Sequence, residues 1–359
     1  MLGEVFWGYI IIGAVTVVLV ATVGADAMAR STRFSAIGWP FVVLCLPVLG
    51  TYLYVRWAYG LDERAQERPT IRPSARVVLY GLTACWAAGC AAWLGVGVSA
   101  LLSMSQEAAP ESDLATTVWV SLALVALTYV FRRWVDRRPA SSIGTPIRGR
   151  SAVEALLGCA GGACIVAAFC GILAAGGFLS VRHASEPTWP LFAGVAAPLA
   201  VAAFYEEITF RGYLYRAFHD QWRAVGAVLV PSVVFGLLHA MNPSFTWLGL
   251  TNIVLVGVFF ALTVVATDRL WFAAGAHFAW NMTMGPVLGL PVSGIEEFGR
   301  LVDTRLTGPD AITGGAFGPE GSAALTGVLV AAIAIAAVSA RYYCRRRPFP
   351  TLVRPPAEA

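Results

Sequence analysis

The chain has 359 residues, of which 58% are hydrophobic and only 13% charged, with a formal net charge of +4. A mean hydropathy of +0.69 excludes an ordinary soluble domain and places the chain in the membrane class. All 25 basic residues are arginine, which excludes lysine Schiff-base and P-loop chemistry.

Apolar stretches of bilayer-crossing length recur along the chain. They fall at 5–25, 35–55, 77–103, 115–131, 152–179, 189–210, 224–241, 247–267, 271–290 and 322–343. Pro40 and Pro47 interrupt the second, and Pro286 the ninth. The alternation of a membrane barrel is missing. The expected fold is therefore all-α, a polytopic transmembrane helix bundle of about ten spans.

The arginines orient that bundle. Arg56, Arg64, Arg68, Arg72 and Arg76 follow the second span; Arg132, Arg133, Arg137, Arg138, Arg148 and Arg150 follow the fourth; Arg341, Arg345, Arg346 and Arg347 follow the last. The loop after the third span carries Glu107, Glu111 and Asp113 and no base. The positive-inside rule then puts both termini in the cytoplasm, in a multi-pass cell-membrane protein whose expected setting is a bacterial plasma membrane. The positive charge is topological, so the expected partner is the lipid bilayer and not a nucleic acid. Ala25-Asp26-Ala27 imitates a signal-peptide cleavage site, but no basic segment precedes the first apolar run, which reads as an uncleaved helix. The seven cysteines form no Cys-x-x-Cys pair and imply no disulfide framework. Three of them, Cys159, Cys164 and Cys170, share a Gly/Ala-rich segment suited to close helix contacts.

Residues 1–131 read as an N-terminal four-helix appendage, its spans free of Asp, Glu and His in their apolar interiors. Residues 132–150 form an Arg-rich cytoplasmic linker, 151–291 a polar-bearing core, 292–321 a Gly-rich extracytoplasmic loop, and 322–359 the last span with a basic tail. We find no internal repeat, which weighs against an inverted-repeat transporter.

The core concentrates unusual polar residues. Glu206 and Glu207 stand side by side at the end of an apolar segment, with Arg211 one turn beyond Glu207. Carboxylates at membrane depth are costly and face a bundle interior or a wet cavity, and adjacent ones titrate as a coupled pair. Phe235-Gly-Leu-Leu-His239 ends a helical stretch just before Pro243, and His277 and Asn281 lie one turn apart on another. Singly, each has a packing explanation: an interhelical hydrogen bond for a histidine, a structural bridge for the Glu–Arg pair, helix glue for Asn281. Their joint occurrence is harder to explain by packing. His219 and His183 read as loop residues outside the cluster.

These three motifs, with the flanking Glu206-Glu-Ile-Thr-Phe-Arg-Gly-Tyr-Leu214, Ser232-Val-Val-Phe-Gly-Leu-Leu-His239 and Ala274-Gly-Ala-His277-Phe-Ala-Trp-Asn281, resemble those of the CAAX prenyl protease and bacteriocin-processing (CPBP, or abortive-infection) family of intramembrane proteases. The family also includes the CAAX-type prenyl endopeptidases. The resemblance spans roughly 190–290 and is specific as a set. It implies a peptide or membrane-protein substrate, Glu206 as the base that activates water with His239 assisting, and His277 and Asn281 stabilising the oxyanion. Glu207 and Arg211 support that cluster, and Phe235 is a further candidate for substrate contact. The chemistry is sound in its own right, since a carboxylate in a low-dielectric site can take a proton from water near neutral pH, and imidazole and carboxamide donors can hold a tetrahedral intermediate.

A metalloprotease is the alternative within this class. Glu206, His239 and His277 have the ligand types of a catalytic zinc site, but no His-Glu-x-x-His motif anchors it, and we favour a metal-free glutamic-type mechanism. Outside the class, the same cluster suits a proton- or ion-coupled transporter, or a non-catalytic immunity or scaffold protein of the same fold. Depth raises one problem. If 189–210 runs inward and 224–241 outward, Glu206 and His239 fall near opposite faces at about 1.5 Å per residue. Starting the returning span near Pro231 resolves this and predicts that 216–230 is partly interfacial.

Overall fold

A computed structural model describes residues 80–81, 83–84, 111–136, 138–184, 187–296 and 298–346. The apolar stretches expected at 5–25 and 35–55, and most of 77–103, lie outside them. The described chain is mainly helical, and five of its helices are long and apolar enough to cross a membrane.

The chain divides into two compact units, one of residues 1–143 with 216–223, the other of 144–215 with 224–359. In the first, α1 (Glu111–Val130) continues through a π-helical turn, Phe131–Val135. Arg132, the second residue of that turn, is 1% exposed. Its guanidinium donates to Asp136 at 3.0 Å and to Ser142 at 2.7 Å. The helical path thus continues to Val135, beyond the expected end of the fourth span at 131. The helix runs on because Asp136, one turn further, neutralises the arginine.

The second unit contains α2 (Ser151–Ala175), α3 (Trp189–Glu207), a π-helical segment Ile208–Leu214, the greater part of α4 (Tyr215–His239), α5 (Trp247–Thr267), α6 (Trp271–Met282), a short α7 (Asp310–Thr313) and α8 (Ala323–Arg346). Helix α2 stops at Ala175, short of the expected 179, because Gly176 and Gly177 close it and Gly177 adopts φ +75°. Helix α5 begins on Thr246, whose hydroxyl accepts from Gly249 N at 2.9 Å, and ends on Asp268 in a left-handed conformation. The span expected at 271–290 is α6 followed by a π-helical turn at Thr283–Val287, which contains Pro286.

Two features depart from the all-α expectation. Strand β1 (Leu179–His183) pairs antiparallel with β2 (Val302–Leu306), in the register Leu179 to Leu306 and His183 to Val302. The Gly-rich loop, moreover, is built into the fold, with Phe317 and Glu320 buried. Pairing β1 with a segment over a hundred residues away is a tertiary contact that no local pattern encodes.

Close packing sets how α2 meets α6. A Cβ added to Gly158 would lie 2.1 Å from Phe272 O, and one on Gly162 would lie 2.2 Å from Ala276 O. Only glycine permits that approach, and the rising pairs show that α2 and α6 run parallel. Arg269, just before α6, pairs with Glu154 in the first turn of α2 at 3.1 Å. Cys344 near the end of α8 lies 3.9 Å from Val265 O near the end of α5. The starts of α2 and α6 and the ends of α5 and α8 therefore share one side, where Arg148, Arg150, Arg269, Arg341 and Arg345 collect.

Helices α3 and α4 form one helical path that turns back on itself. The rings of Phe210 and Phe235 are 5.2 Å apart, whereas a straight helix between them would extend about 37 Å. The returning arm brings His239 back to the level of the glutamates, so the depth conflict disappears. Residues 216–230 are helical throughout.

Candidate active site

The last turn of α3 carries Glu206 and Glu207, and the next residues adopt π-helical geometry through Leu214. A π-turn inserts a residue into the helical repeat and re-aims the side chains on either side of it, as functional sites often require. Glu207 is completely buried, whereas the Glu206 side chain is 18% exposed. The adjacent carboxylates thus occupy unlike surroundings.

Glu207 Oε1 accepts two charge-assisted hydrogen bonds, from Arg211 Nη1 at 2.9 Å and from His277 Nδ1 at 3.1 Å. With Nδ1–H committed to Glu207, the neutral His277 ring carries its lone pair on Nε2. That atom lies 3.7 Å from Glu206 Oε2, beyond a direct hydrogen bond. Glu206 Oε2 and Glu207 Oε2 are themselves buried without a hydrogen-bond partner.

An aromatic shell fixes these groups. The Arg211 guanidinium lies 4.4 Å from the centre of the Phe235 ring, and 5.4 and 5.8 Å from those of Phe260 and Phe210. Phe260 stacks on His277 at 5.2 Å, and Phe235 meets the same imidazole edge-on at 6.2 Å. His239 also packs on Phe235, with ring centres 4.6 Å apart, and its Nδ1 donates to Phe235 O at 2.8 Å. Phe235 is 3% exposed. It packs against the cation and both histidines.

The structure thus brings Glu206, Glu207, Arg211 and His277 together, with Glu207 bonded to both Arg211 and His277 and Glu206 3.7 Å from His277. His239 joins them through Phe235, and half-buried Asn281 lies one turn beyond His277 on α6. Of the three residues considered as zinc ligands, only Glu206 and His277 approach one another. Among the described residues no three His, Cys, Asp or Glu side chains are grouped so as to hold a metal ion, so we derive no step through one. His183 lies on β1, apart from the cluster in sequence and structure. Sequence reasoning passed over Phe210 and Phe260, since an apolar residue in an apolar helix gives no signal of what it stacks on.

The fold and site define a helical membrane protein with a buried glutamate–arginine–histidine cluster. Residues 187–283, from the start of α3 to the end of α6, match the family model described as type II CAAX prenyl endopeptidase Rce1-like. That stretch is similar to this family and contains every residue of the cluster. No curated protein and no solved structure matches the chain.

Proposed function

We propose that the protein is an intramembrane endopeptidase hydrolysing a peptide bond of a membrane-associated or small peptide substrate. The observation that carries this reading is the approach of Glu206 Oε2 to His277 Nε2 at 3.7 Å, while the far side of the same imidazole is held by Glu207. A carboxylate and a histidine oriented by a second carboxylate form an arrangement suited to proton transfer.

In the proposed reaction, Glu206 takes one proton from a water molecule and the water oxygen adds to the carbonyl carbon of the scissile bond. The carbonyl electrons move onto oxygen, where the Asn281 carboxamide donates a hydrogen bond. His239 has its Nδ1 proton on Phe235 O, so its Nε2 lone pair assists deprotonation of the water. His277 Nε2 takes the water-derived proton over from Glu206, donates it in a hydrogen bond to the oxyanion, and returns it to Glu206 as the intermediate collapses. Collapse of the intermediate breaks the C–N bond, and the proton held by Glu206 passes to the leaving nitrogen. Glu207 and Arg211 hold His277 in register.

The orientation we propose places the arginine-bearing side of the second unit in the cytoplasm, with both termini on that side. The clustering of Arg148, Arg150, Arg269, Arg341 and Arg345 at one end of the bundle supports it.

The test is cleavage of peptide and membrane-protein substrates by the purified protein in lipid nanodiscs, comparing wild type with Glu206→Ala. We expect Glu206→Ala to abolish cleavage without loss of folded protein. Ion or proton flux by wild-type protein in sealed vesicles, with no proteolysis, would establish the transporter reading instead. Chelator treatment with zinc add-back belongs in the same assay: activity lost and restored in this way would replace the metal-free mechanism.

A further inference from the structure

Glu320 lies in the Gly-rich segment before α8, outside the matched domain, yet it is only 5% exposed. Its Oε1 accepts from Trp280 Nε1 at 3.0 Å. Its Oε2 accepts from Ser293 N and, at 2.7 Å, from Ser293 Oγ. A buried carboxylate is costly unless donors surround it, and here three do so.

What these donors are attached to gives Glu320 its importance. Trp280 is the residue before Asn281 on α6 and lies close to His277 along the same helix. Ser293 connects to the segment following His239: its carbonyl accepts from Asn242 Nδ2 at 3.0 Å, and Asn242 N donates to His239 O at 3.1 Å. The fit is tight, because a Cβ on Gly294 would lie 2.1 Å from Pro243 O. Ser293 itself is held at φ +50°, a conformation rare for a residue with a side chain. A backbone held in that region needs surrounding interactions to maintain it, and Glu320 supplies two hydrogen bonds. The main chain of Glu320 is fixed as well, since its carbonyl accepts from Asn252 Nδ2 on α5 at 2.8 Å.

We propose that Glu320 is a positioning residue, a strut that sets the separation between His239 on one side and His277 and Asn281 on the other. This rests on the endopeptidase reading for its catalytic consequence, though not for its structural one. One hydrogen-bonded path runs from the His239 carbonyl through Asn242, Ser293 and Glu320 to the Trp280 indole. It links the α4–α5 connection to α6 by hydrogen bonds, beside the ring contacts that Phe235 makes with both histidines. Displacing a reacting group by about 1 Å is enough to slow catalysis by about a hundredfold.

Glu320→Gln keeps the shape but replaces one acceptor oxygen with a donor, so it cannot serve Trp280 and Ser293 together. Trp280→Phe removes a single donor. In both variants, in nanodiscs, we expect kcat to fall about ten- to a hundredfold with KM within about twofold, the pattern of lost transition-state geometry. Hydrogen–deuterium exchange should show residues 239–246 and 276–283 losing protection together while α2 keeps its own. Unchanged kcat in both variants, or faster exchange confined to 289–321, overturns the proposal. If Glu320→Gln does not accumulate as folded protein, Trp280→Phe and Ser293→Ala decide by the same measurements. If wild-type protein cleaves no peptide, the endopeptidase reading fails, and the exchange measurement alone still decides whether the strut exists.

Discussion

His277 Nδ1 donates to Glu207 Oε1 across 3.1 Å, joining α6 to the last turn of α3 over a separation of 70 residues. The same oxygen receives Arg211 Nη1 at 2.9 Å. One buried carboxylate therefore satisfies a permanent cation and fixes the tautomer of the imidazole that faces Glu206. The two neighbouring glutamates differ in environment: one is enclosed and holds its neighbours, the other is partly open and is the base of the proposed reaction.

That division is testable by stability. Glu207→Gln leaves the Arg211 guanidinium buried against a neutral amide, and breaking a buried pair by removing one partner costs about 3–5 kcal/mol. Glu206→Gln removes no ion pair with an arginine and should leave the unfolding midpoint close to wild type while eliminating hydrolysis. Thermal unfolding in detergent, beside a cleavage assay, separates the two. Equal destabilisation by both substitutions would refute the assignment.

Arg211→Lys keeps the charge but loses the planar guanidinium that lies 4.4 Å from the Phe235 ring centre. Lysine also lacks the fixed donor geometry, so the change is not conservative here. We expect a loss of about 1–2 kcal/mol of stability, the range of a desolvated cation–π contact. His277 would be held less firmly and activity should fall with it; wild-type unfolding and turnover in Arg211→Lys would show that charge alone suffices.

Gly162 faces the backbone of Ala276, the residue before His277. A methyl group there meets Ala276 O at 2.2 Å, so Gly162→Ala must move α6 away from α2. Overpacking of this kind costs about 1–3 kcal/mol. Gly171, on the same helix, has nothing within 4 Å of its would-be Cβ. Gly171→Ala should therefore be neutral or stabilising through helix propensity, by up to about 1 kcal/mol. Similar effects at both positions would mean that the close crossing does not constrain the site.

Asn252 joins α5 to the start of α8, donating to Glu320 O and Ser322 O at 2.8 Å each and accepting from Thr326 Oγ1 at 2.7 Å. Asn252→Leu removes all three bonds from a fully buried position. Polar contacts between membrane helices are worth about 0.6–2 kcal/mol each. The expected result is a lower unfolding midpoint and faster exchange at the start of α8, with residues 151–175 unaffected. Uniform loosening of the whole bundle would contradict it.

Much of the helical architecture could be read from apolar run length, because a bilayer-crossing helix must hide its backbone and therefore announces itself locally. The boundaries at 189 and 247 were legible for that reason, with Pro190 at the first turn of α3 and Thr246 capping α5. The β1–β2 pair was not, since Leu179–His183 and Val302–Leu306 carry no hydrophobic alternation pointing to each other. The burial of Arg132 was not legible either, because its partner Asp136 meets it only in the folded turn.

The candidate site divides in the same way. Sequence alone determined which residues are chemically out of place in an apolar core: Glu206, Glu207, Arg211, His239, His277 and Asn281. Burying a charged or polar group has an energetic cost that composition makes plain. Tertiary structure decided what those groups do for one another. It bonded Glu207 to His277, turned the α3–α4 path back so that Phe235 touches both histidines, and enclosed Glu320 between the loop and α6. Those relationships depend on distances between segments far apart in the chain, and only packing of the whole bundle fixes them.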